Sequence, residues 1–390
     1  DQRTFAVQHF IIPLEILLRI SKAGSGDVRG GCAPIFPPEV YAQKGKPMRG
    51  VLVEEFTEFK NLKLIECPEP ELGPKQVRIR TQATGVSFAL SLMVAGRYQR
   101  KPPLPFVPAA EVAGIVTNVA EGCERIKVGD RVCAVLDWGG LAEVAVANEV
   151  NTFKIPDGLT FDRAICFTNS YATSAAALLW PHLLRLEAGE TLLVHGAAGG
   201  VGLAAIEIGK IIGATVIATA GSAEKLEAAK AHGADHVINY REGEFRKTVN
   251  ELTDGRGVNA IYDPVGGDVF KQSLRCIAPE GRIMPVGFAG GTIQEIPANI
   301  LLVKNITVTG LNMGYYIGWS PDDVRDEMAP RIHPLMQQVF DWFEAEKIKP
   351  QIWKTFKLED FQDAMVAVLD RAAIGRVAVV MNEEAKRLGQ

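Results

Sequence analysis

The spacing richest in chemistry is Val194-His195-Gly196-Ala197-Ala198-Gly199-Gly200-Val201-Gly202. The apolar run Thr191-Leu192-Leu193 leads into it and an apolar helical pattern leaves it. Glycines let backbone N–H groups approach a pyrophosphate, and a helix N-terminus adds a dipole of the right sign. Between a strand and a helix, this spacing reads as a dinucleotide site with Ala198, Gly199, Gly200, Val201 and Gly202 against the phosphates. The alternative is a helix–strand packing turn that holds no ligand.

The end of the next strand discriminates between cofactors. NAD sites place an acid about 20 residues past the first glycine, on the ribose 2′-OH. Thr219-Ala220-Gly221-Ser222 offers no carboxylate, and Lys225 follows on the first helical turn. A hydroxyl and a cation suit a 2′-phosphate, so the expected cofactor is NADPH, held by Ser222 and Lys225 and completed by Tyr240 and Arg241. The plainer alternative makes Ser222 a helix N-cap and Lys225 a solvated residue; Ser222 can serve in both ways.

These residues need an alternating scaffold. Thr191–His195, Thr215–Thr219, His236–Asn239, Ala260–Asp263 and Gly281–Gly287 read as short strands separated by helical patterns, such as that over Glu224–His232. That rhythm means βαβ units and a doubly wound parallel sheet in an α/β chain. Between Met48 and Ala147 the pattern is β-rich instead. Val77–Ala83 alternates strictly, Glu111–Val119 is a second strand, and glycine and proline punctuate a barrel-like domain. Helices follow Met313, and Arg376–Val380 closes the chain.

Length and composition fit two or three domains with an ample core: 390 residues, 47% apolar and 23% charged. The net charge of −4 and the lack of a long basic tract argue against nucleic acid as a partner. Cysteines 32, 67, 123, 133, 166 and 276 include no CxxC pair and no zinc spacing, which reads as free thiols in a reducing compartment. The apolar run Phe5–Ile20 is interrupted by Gln8, His9 and Glu15 and is too short to span a membrane. Residues 1–47, rich in Gly and Pro, read as a leader or linker, with the folded enzyme expected from Met48. A cytoplasmic site is expected, or a mitochondrial one if 1–47 act as a transit segment.

Taken together, Ala197–Gly202, Lys225 and His232-Gly233-Ala234-Asp235-His236-Val237-Ile238-Asn239-Tyr240 resemble the zinc-free quinone oxidoreductase, zeta-crystallin-like branch of the medium-chain dehydrogenases. Gly85-Val86-Ser87-Phe88, Gly96-Arg97-Tyr98, Pro108–Gly114, Asp263–Gly267 and Gly287-Phe288-Ala289 match further elements of that family in order. The resemblance covers about Met48 to Met381.

The resemblance implies a GroES-like β-rich catalytic domain over 48–172 and 315–390, with a Rossmann NADPH-binding domain inserted over 173–314. Zinc-dependent relatives carry Cys and His where this chain has Ser87 and Ala110, so no catalytic metal is expected. Val265, Gly287, Phe288 and Asn312 would serve the cofactor loops. Thr173 would meet the nicotinamide carboxamide, Ser87 the ribose or a substrate oxygen, and Tyr98 would line the pocket. Glu111 is expected to hydrogen-bond backbone near the cleft. Tyr315 and Tyr316 are weaker substrate candidates, and His182 and His195 read as packing. Leu90 and Leu92 stand where the family carries an acid and a Tyr, which makes the expected pocket more apolar. Ile296–Gly310 resembles the edge through which these enzymes form homodimers.

The implied reaction is hydride transfer from NADPH to a quinone. The same scaffold serves NADPH-dependent reductases of enals, enones or enoyl thioesters. A third reading is a catalytically weak NADPH-binding, RNA-binding or structural crystallin-like protein.

Overall fold

The computed structural model describes residues 46–386 apart from Gln99 and Pro321. The leader expected over 1–47 lies outside the described residues except for its last two positions. A hairpin opens the described chain, β1 (Pro47–Leu52) antiparallel to β2 (Lys63–Pro68).

A seven-stranded sheet follows from β3 (Gln76–Val86), β4 (Glu111–Val119), β5 (Arg131–Val135), β6 (Val144–Asn148) and β7 (Thr152–Lys154). The strict alternation at Val77–Ala83 is the first part of β3, which runs on to Val86 and delivers Ser87 at its end. The last strands of the chain, β14 (Ile352–Lys357) and β15 (Arg376–Val380), return to this sheet. Its order is β14-β15-β3-β4-β5-β7, with β6 also paired to β3. Strands from before and after the intervening segment therefore share one sheet, because β15 pairs antiparallel to β3.

Between them lie β8 (Thr191–Val194), β9 (Thr215–Ala220), β10 (His236–Asn239), β11 (Val258–Asp263), β12 (Ile277–Pro285) and β13 (Thr307–Val308). They form a parallel sheet of order β10-β9-β8-β11-β12-β13. The order reverses between β8 and β11, and the crevice beyond the carboxyl ends of strands at such a switch point is where α/β sheets bind ligands.

Successive residues explain why this sheet is covered on both faces. Leu192 and Val194 join one apolar cluster while Leu193 joins another. Val216 and Ala218 divide from Ile217 in the same way, as do Ala260 and Tyr262 from Ile261. A period of two with both sets apolar buries both faces. The larger cluster runs on into the seven-stranded sheet through Phe161, Ile165, Phe167 and Ala378. Burial of each such large side chain contributes roughly 1.5–3 kcal/mol.

No helix among the described residues is long and apolar enough to cross a membrane.

Candidate active site

The chain leaves β8 through His195 and Gly196 and enters the helix Gly200–Ile212 with Gly199 at its N-cap. No side chain caps that helix, so its first N–H groups are not satisfied from within the turn by a cap residue. A Cβ at Gly202 would lie 2.6 Å from Gly196 O, so only glycine lets the helix close onto the turn. At Gly200 a Cβ would strike Arg376 Cδ and Ser170 Oγ, both at 2.6 Å. Gly199 has only Gly196 O near its missing side chain, at 3.3 Å, which leaves its outer side open.

His195 steadies this turn from beneath and is 1% exposed. Ser273 Oγ donates to Val269 O, so it accepts from His195 Nε2–H at 2.8 Å. Nδ1 then accepts from Thr219 Oγ1, also at 2.8 Å. Burial lowers the imidazole pKa to about 4, against the opposing pull of Asp263. The expected packing role is observed, and the ring ties β8 to β9 and to the helix Asp268–Ser273.

Beyond β9, Ser222 caps the helix Ala223–Ala231, its Oγ accepting from Lys225 N at 3.4 Å. Lys225 Nζ donates to the carbonyl of Arg371. Burial first, then the charges of Arg241 and Arg371, pull the Lys225 pKa down, while Glu224 opposes them. The Tyr240 hydroxyl and Arg241 Nε stand over Gly221, 2.6 and 3.0 Å from where its Cβ would be. Ser222, Lys225, Tyr240 and Arg241 are thus brought together as expected. Three cations within Coulombic reach repel one another, and a dianion placed among them would relieve that repulsion. This donor set fits the 2′-phosphate of NADPH.

Arg371 was missed in the sequence because no local motif surrounds it. It reaches the site on the segment that leads into β15, where its Nη2 donates to Ala289 O at 2.8 Å. Further along, Gly375 N donates to Ala198 O at 2.8 Å, and Gly375 bridges Gly199.

At the carboxyl ends of β11 and β12 two loops are stitched together. Asp263 Oδ1 accepts from Val265 N and Gly266 N at 2.8 and 3.0 Å. Ala289 N and Gly290 N bond Pro264 O and Val265 O. Val265, Gly287 and Phe288 therefore form one unit, and the Phe288 ring, 42% exposed, stands over Gly266. The Asn312 side chain is engaged locally, its Oδ1 capping the helix Met313–Tyr316 through Gly314 N at 3.1 Å.

The sequence assigns three hydroxyls to the acceptor side. Ser87 sits at the N-cap position of the helix Phe88–Val94 without making a cap bond. Thr173, half-buried, is the second residue of the helix Ala172–Leu179 and follows a π-helical turn, Phe167–Tyr171. Tyr98 packs edge-on against Trp319, with ring centroids 6.5 Å apart, and burial raises its pKa.

Several expectations need correction. Leu90 does not face a pocket: it is 4% exposed and packs with Val51, Val53, Phe59 and Phe361. The carbonyl of half-buried Leu92 accepts from Arg97 N and Tyr98 N, at 2.8 and 3.1 Å, and so holds the Gly96–Tyr98 turn. Glu111 does not spend its carboxylate on backbone. It pairs with the buried Arg376 and accepts from Thr168 Oγ1 at 3.5 Å. Tyr316 packs on Trp180, its hydroxyl 3.3 Å from His182 Nε2, while Tyr315 is 42% exposed. Among the described residues no three His, Cys, Asp or Glu side chains gather in a way that could hold a metal ion.

Comparison with known proteins agrees with this geometry. Residues 73–157 match the family described as alcohol dehydrogenase GroES-like domain, and residues 200–333 match zinc-binding dehydrogenase. The chain is 36% identical over 351 residues to quinone oxidoreductase-like protein 2 of Rattus norvegicus, covering 89% of this chain and 97% of the relative. Quinone oxidoreductase of Pseudomonas aeruginosa is 33% identical over 316 residues, covering 80% and 92%. A crystallised quinone oxidoreductase of Pseudomonas syringae superposes with a TM-score of 0.77 at 30% identity, over 85% of this chain and 99% of that one. The Escherichia coli quinone oxidoreductase complexed with NADPH gives 0.76 at 27% identity, over the same shares. A GroES-like domain, a Rossmann-like parallel sheet and a cation cluster that fits a 2′-phosphate thus occur together, and the chain belongs to the quinone oxidoreductase branch of the medium-chain dehydrogenase/reductase superfamily as an NADPH-dependent oxidoreductase.

Proposed function

We propose that this oxidoreductase reduces a quinone. NADPH, when bound, supplies the hydride. The chain's residues hold and orient it: Lys225, Arg241 and Arg371 at the 2′-phosphate, the N–H groups around Gly199 at the pyrophosphate, and Thr173, Val265 and Phe288 at the nicotinamide end. Orientation of this kind is where a protein contributes most when the cofactor carries the chemistry.

The observation that carries the quinone reading is the nature of the candidate acceptor-side groups. Ser87, Thr173 and Tyr98 are neutral hydroxyls, and burial raises the Tyr98 pKa, which keeps it a donor. A quinone needs no base: one carbonyl takes the hydride equivalent, the oxyanion left on the other oxygen accepts a hydrogen bond, and the single proton that completes the hydroquinone comes from solvent. Ser87 and Ala110 stand where zinc-dependent relatives place metal ligands, which also favours an acceptor that is already electrophilic.

The same reading divides the chain into a leader over 1–47, a catalytic domain over 48–172 and 315–390, and a cofactor domain over 173–314. It also makes the protein a homodimer. β13 is the edge of the parallel sheet, and the neighbouring helix Ala298–Lys304 has no buried residue. Leu302 and Val303 on that helix, and Ile293 ahead of it, are each more than 70% exposed. Such an apolar edge suits a second copy. The reading assigns the enzyme to the cytoplasm, or to mitochondria if the leader is a transit segment.

The test follows cofactor absorbance at 340 nm. The full chain is given NADPH or NADH with 1,4-benzoquinone or 9,10-phenanthrenequinone, then with enones and an acryloyl thioester. NADPH consumption with quinones is the expected result. Consumption with enones or the thioester alone would replace the quinone reading with an ene-reductase reading.

A further inference from the structure

Glu207 lies in the middle of the helix Gly200–Ile212 and is 5% exposed. Its neighbours Ala204, Ala205, Ile206 and Ile208 are all apolar and buried. A carboxylate in that position is costly unless its oxygens are satisfied. Three donors converge on it. Tyr171 Oη donates to Oε2 at 2.6 Å, Lys349 N to Oε1 at 2.9 Å, and His232 Nδ1 lies 2.8 Å from Oε1. A carboxylate oxygen that already accepts from Lys349 N–H is an acceptor for the imidazole as well, so the His232 proton is on Nδ1.

Tyr171 ends the π-helical turn Phe167–Tyr171, two residues before Thr173. π-turns are rare and concentrate at functional sites because the extra residue re-aims side chains. This one carries Thr168 to Glu111 and Tyr171 to Glu207. One residue past Thr173, Ser174 Oγ donates to Val201 O at 2.9 Å. Thr173 is therefore flanked by two ties, and both end on the helix whose N-terminus faces the pyrophosphate. Burial, and then the charge of Glu207, push the Tyr171 phenol far up, so it remains a donor in this bond.

We propose that Tyr171 and Glu207 are positioning residues for hydride transfer, locking Thr173, and through it the nicotinamide, to the dinucleotide-binding helix. The proposal rests on the reading of Thr173 as a nicotinamide contact. The bond between Tyr171 and Glu207 sets where the nicotinamide end of the site stands relative to the phosphate end. The Lys349 amide ties the same carboxylate to the segment that leads into β14. Loss of the lock loosens the ring without loosening the phosphates, so it acts on turnover rather than on cofactor affinity.

The experiment compares the full chain with Tyr171→Phe, Glu207→Gln and the double variant. The fluorescence lifetime of the nicotinamide in bound NADPH is read with no acceptor present, together with the NADPH Kd and the melting midpoint. In Tyr171→Phe the lifetime should shorten or split, while Kd stays within about twofold and kcat falls about 10- to 100-fold, as expected for a misplaced reacting group. Glu207→Gln keeps an acceptor for the phenol and should recover most of the lifetime and kcat. The double variant should be no worse than Tyr171→Phe alone, since the two act as a unit. If Tyr171→Phe is insoluble, Ser174→Ala cuts the other tie and carries the same comparison. An unchanged lifetime in Tyr171→Phe overturns the proposal. So does a fall in kcat matched by an equal fall in NADPH affinity and melting. If the wild-type chain reduces no acceptor, the quinone reading fails, while the lifetime still decides the positioning role.

Discussion

Lys225 Nζ rests on the backbone carbonyl of Arg371, across 146 positions of sequence. The cation proposed to read the 2′-phosphate is thus held by the segment that brings Arg371. The proposed phosphate site draws on the parallel sheet and on the chain's return to the other sheet, so on that reading cofactor selectivity depends on both.

Removing either cation should therefore weaken NADPH binding and leave NADH binding unchanged. Lys225→Ala or Arg371→Ala should raise the NADPH Kd about tenfold or more, since a hydrogen bond to a charged group is worth roughly 1.5–3 kcal/mol. Titration of intrinsic fluorescence with each cofactor measures this. An equal loss of NADH affinity would show that the residues support the turn rather than the phosphate.

His195 makes stability depend on pH. Its folded pKa of about 4 lies below the ordinary value of 6.5. The unfolded chain binds the proton more readily, so the contribution is fully present above pH 6.5 and is lost as pH falls toward 4. The shift is worth about 3 kcal/mol. Urea unfolding at pH 7 and pH 4.5 should show a decline in the wild type that is smaller in His195→Gln.

The buried pair of Arg376 and Glu111 gives an asymmetric prediction. Burial lowers the Arg376 pKa to about 10, and the residue is 8% exposed. Arg376→Met leaves Glu111 charged and unpaired and should cost about 3–5 kcal/mol. Arg376→Met with Glu111→Gln should restore much of that loss. Equilibrium unfolding of the two variants checks it, and equal losses would mean that the pair contributes through shape alone.

Charge on the exposed helix Ala298–Lys304 beside the sheet edge should dissociate the proposed dimer. Leu302→Glu with Val303→Lys places charges where those residues are 78% and 77% exposed, so the fold of a protomer should be unaffected. Light scattering after gel filtration should report half the wild-type mass with an unchanged melting profile in the monomeric range. A wild-type chain that is already monomeric would refute the interface.

Local signals carried far in the sequence because they are dictated by neighbours. β10 and β15 occupy the spans expected for them, His236–Asn239 and Arg376–Val380, since each is a short apolar run bounded by turn residues. The Gly196–Gly202 turn and the Ser222–Lys225 cap were legible for the same reason. A strand, a tight turn and a helix start are specified within a dozen residues. Leu90 was not legible in this way. The helix Phe88–Val94 is seven residues long and apolar at nearly every position, so no periodicity distinguishes its buried face from an open one.

The sequence by itself determined the alternation of strands and helices, the dinucleotide turn and the preference for a 2′-phosphate, because these follow from spacing along the chain. Tertiary structure alone decided that Arg371 joins Lys225, that Glu111 meets Arg376 rather than backbone, and that Glu207 receives Tyr171, His232 and Lys349. Each of those pairings crosses between elements distant in sequence, and a side chain's partner there depends on how sheets and helices pack. One-dimensional periodicity does not carry that information.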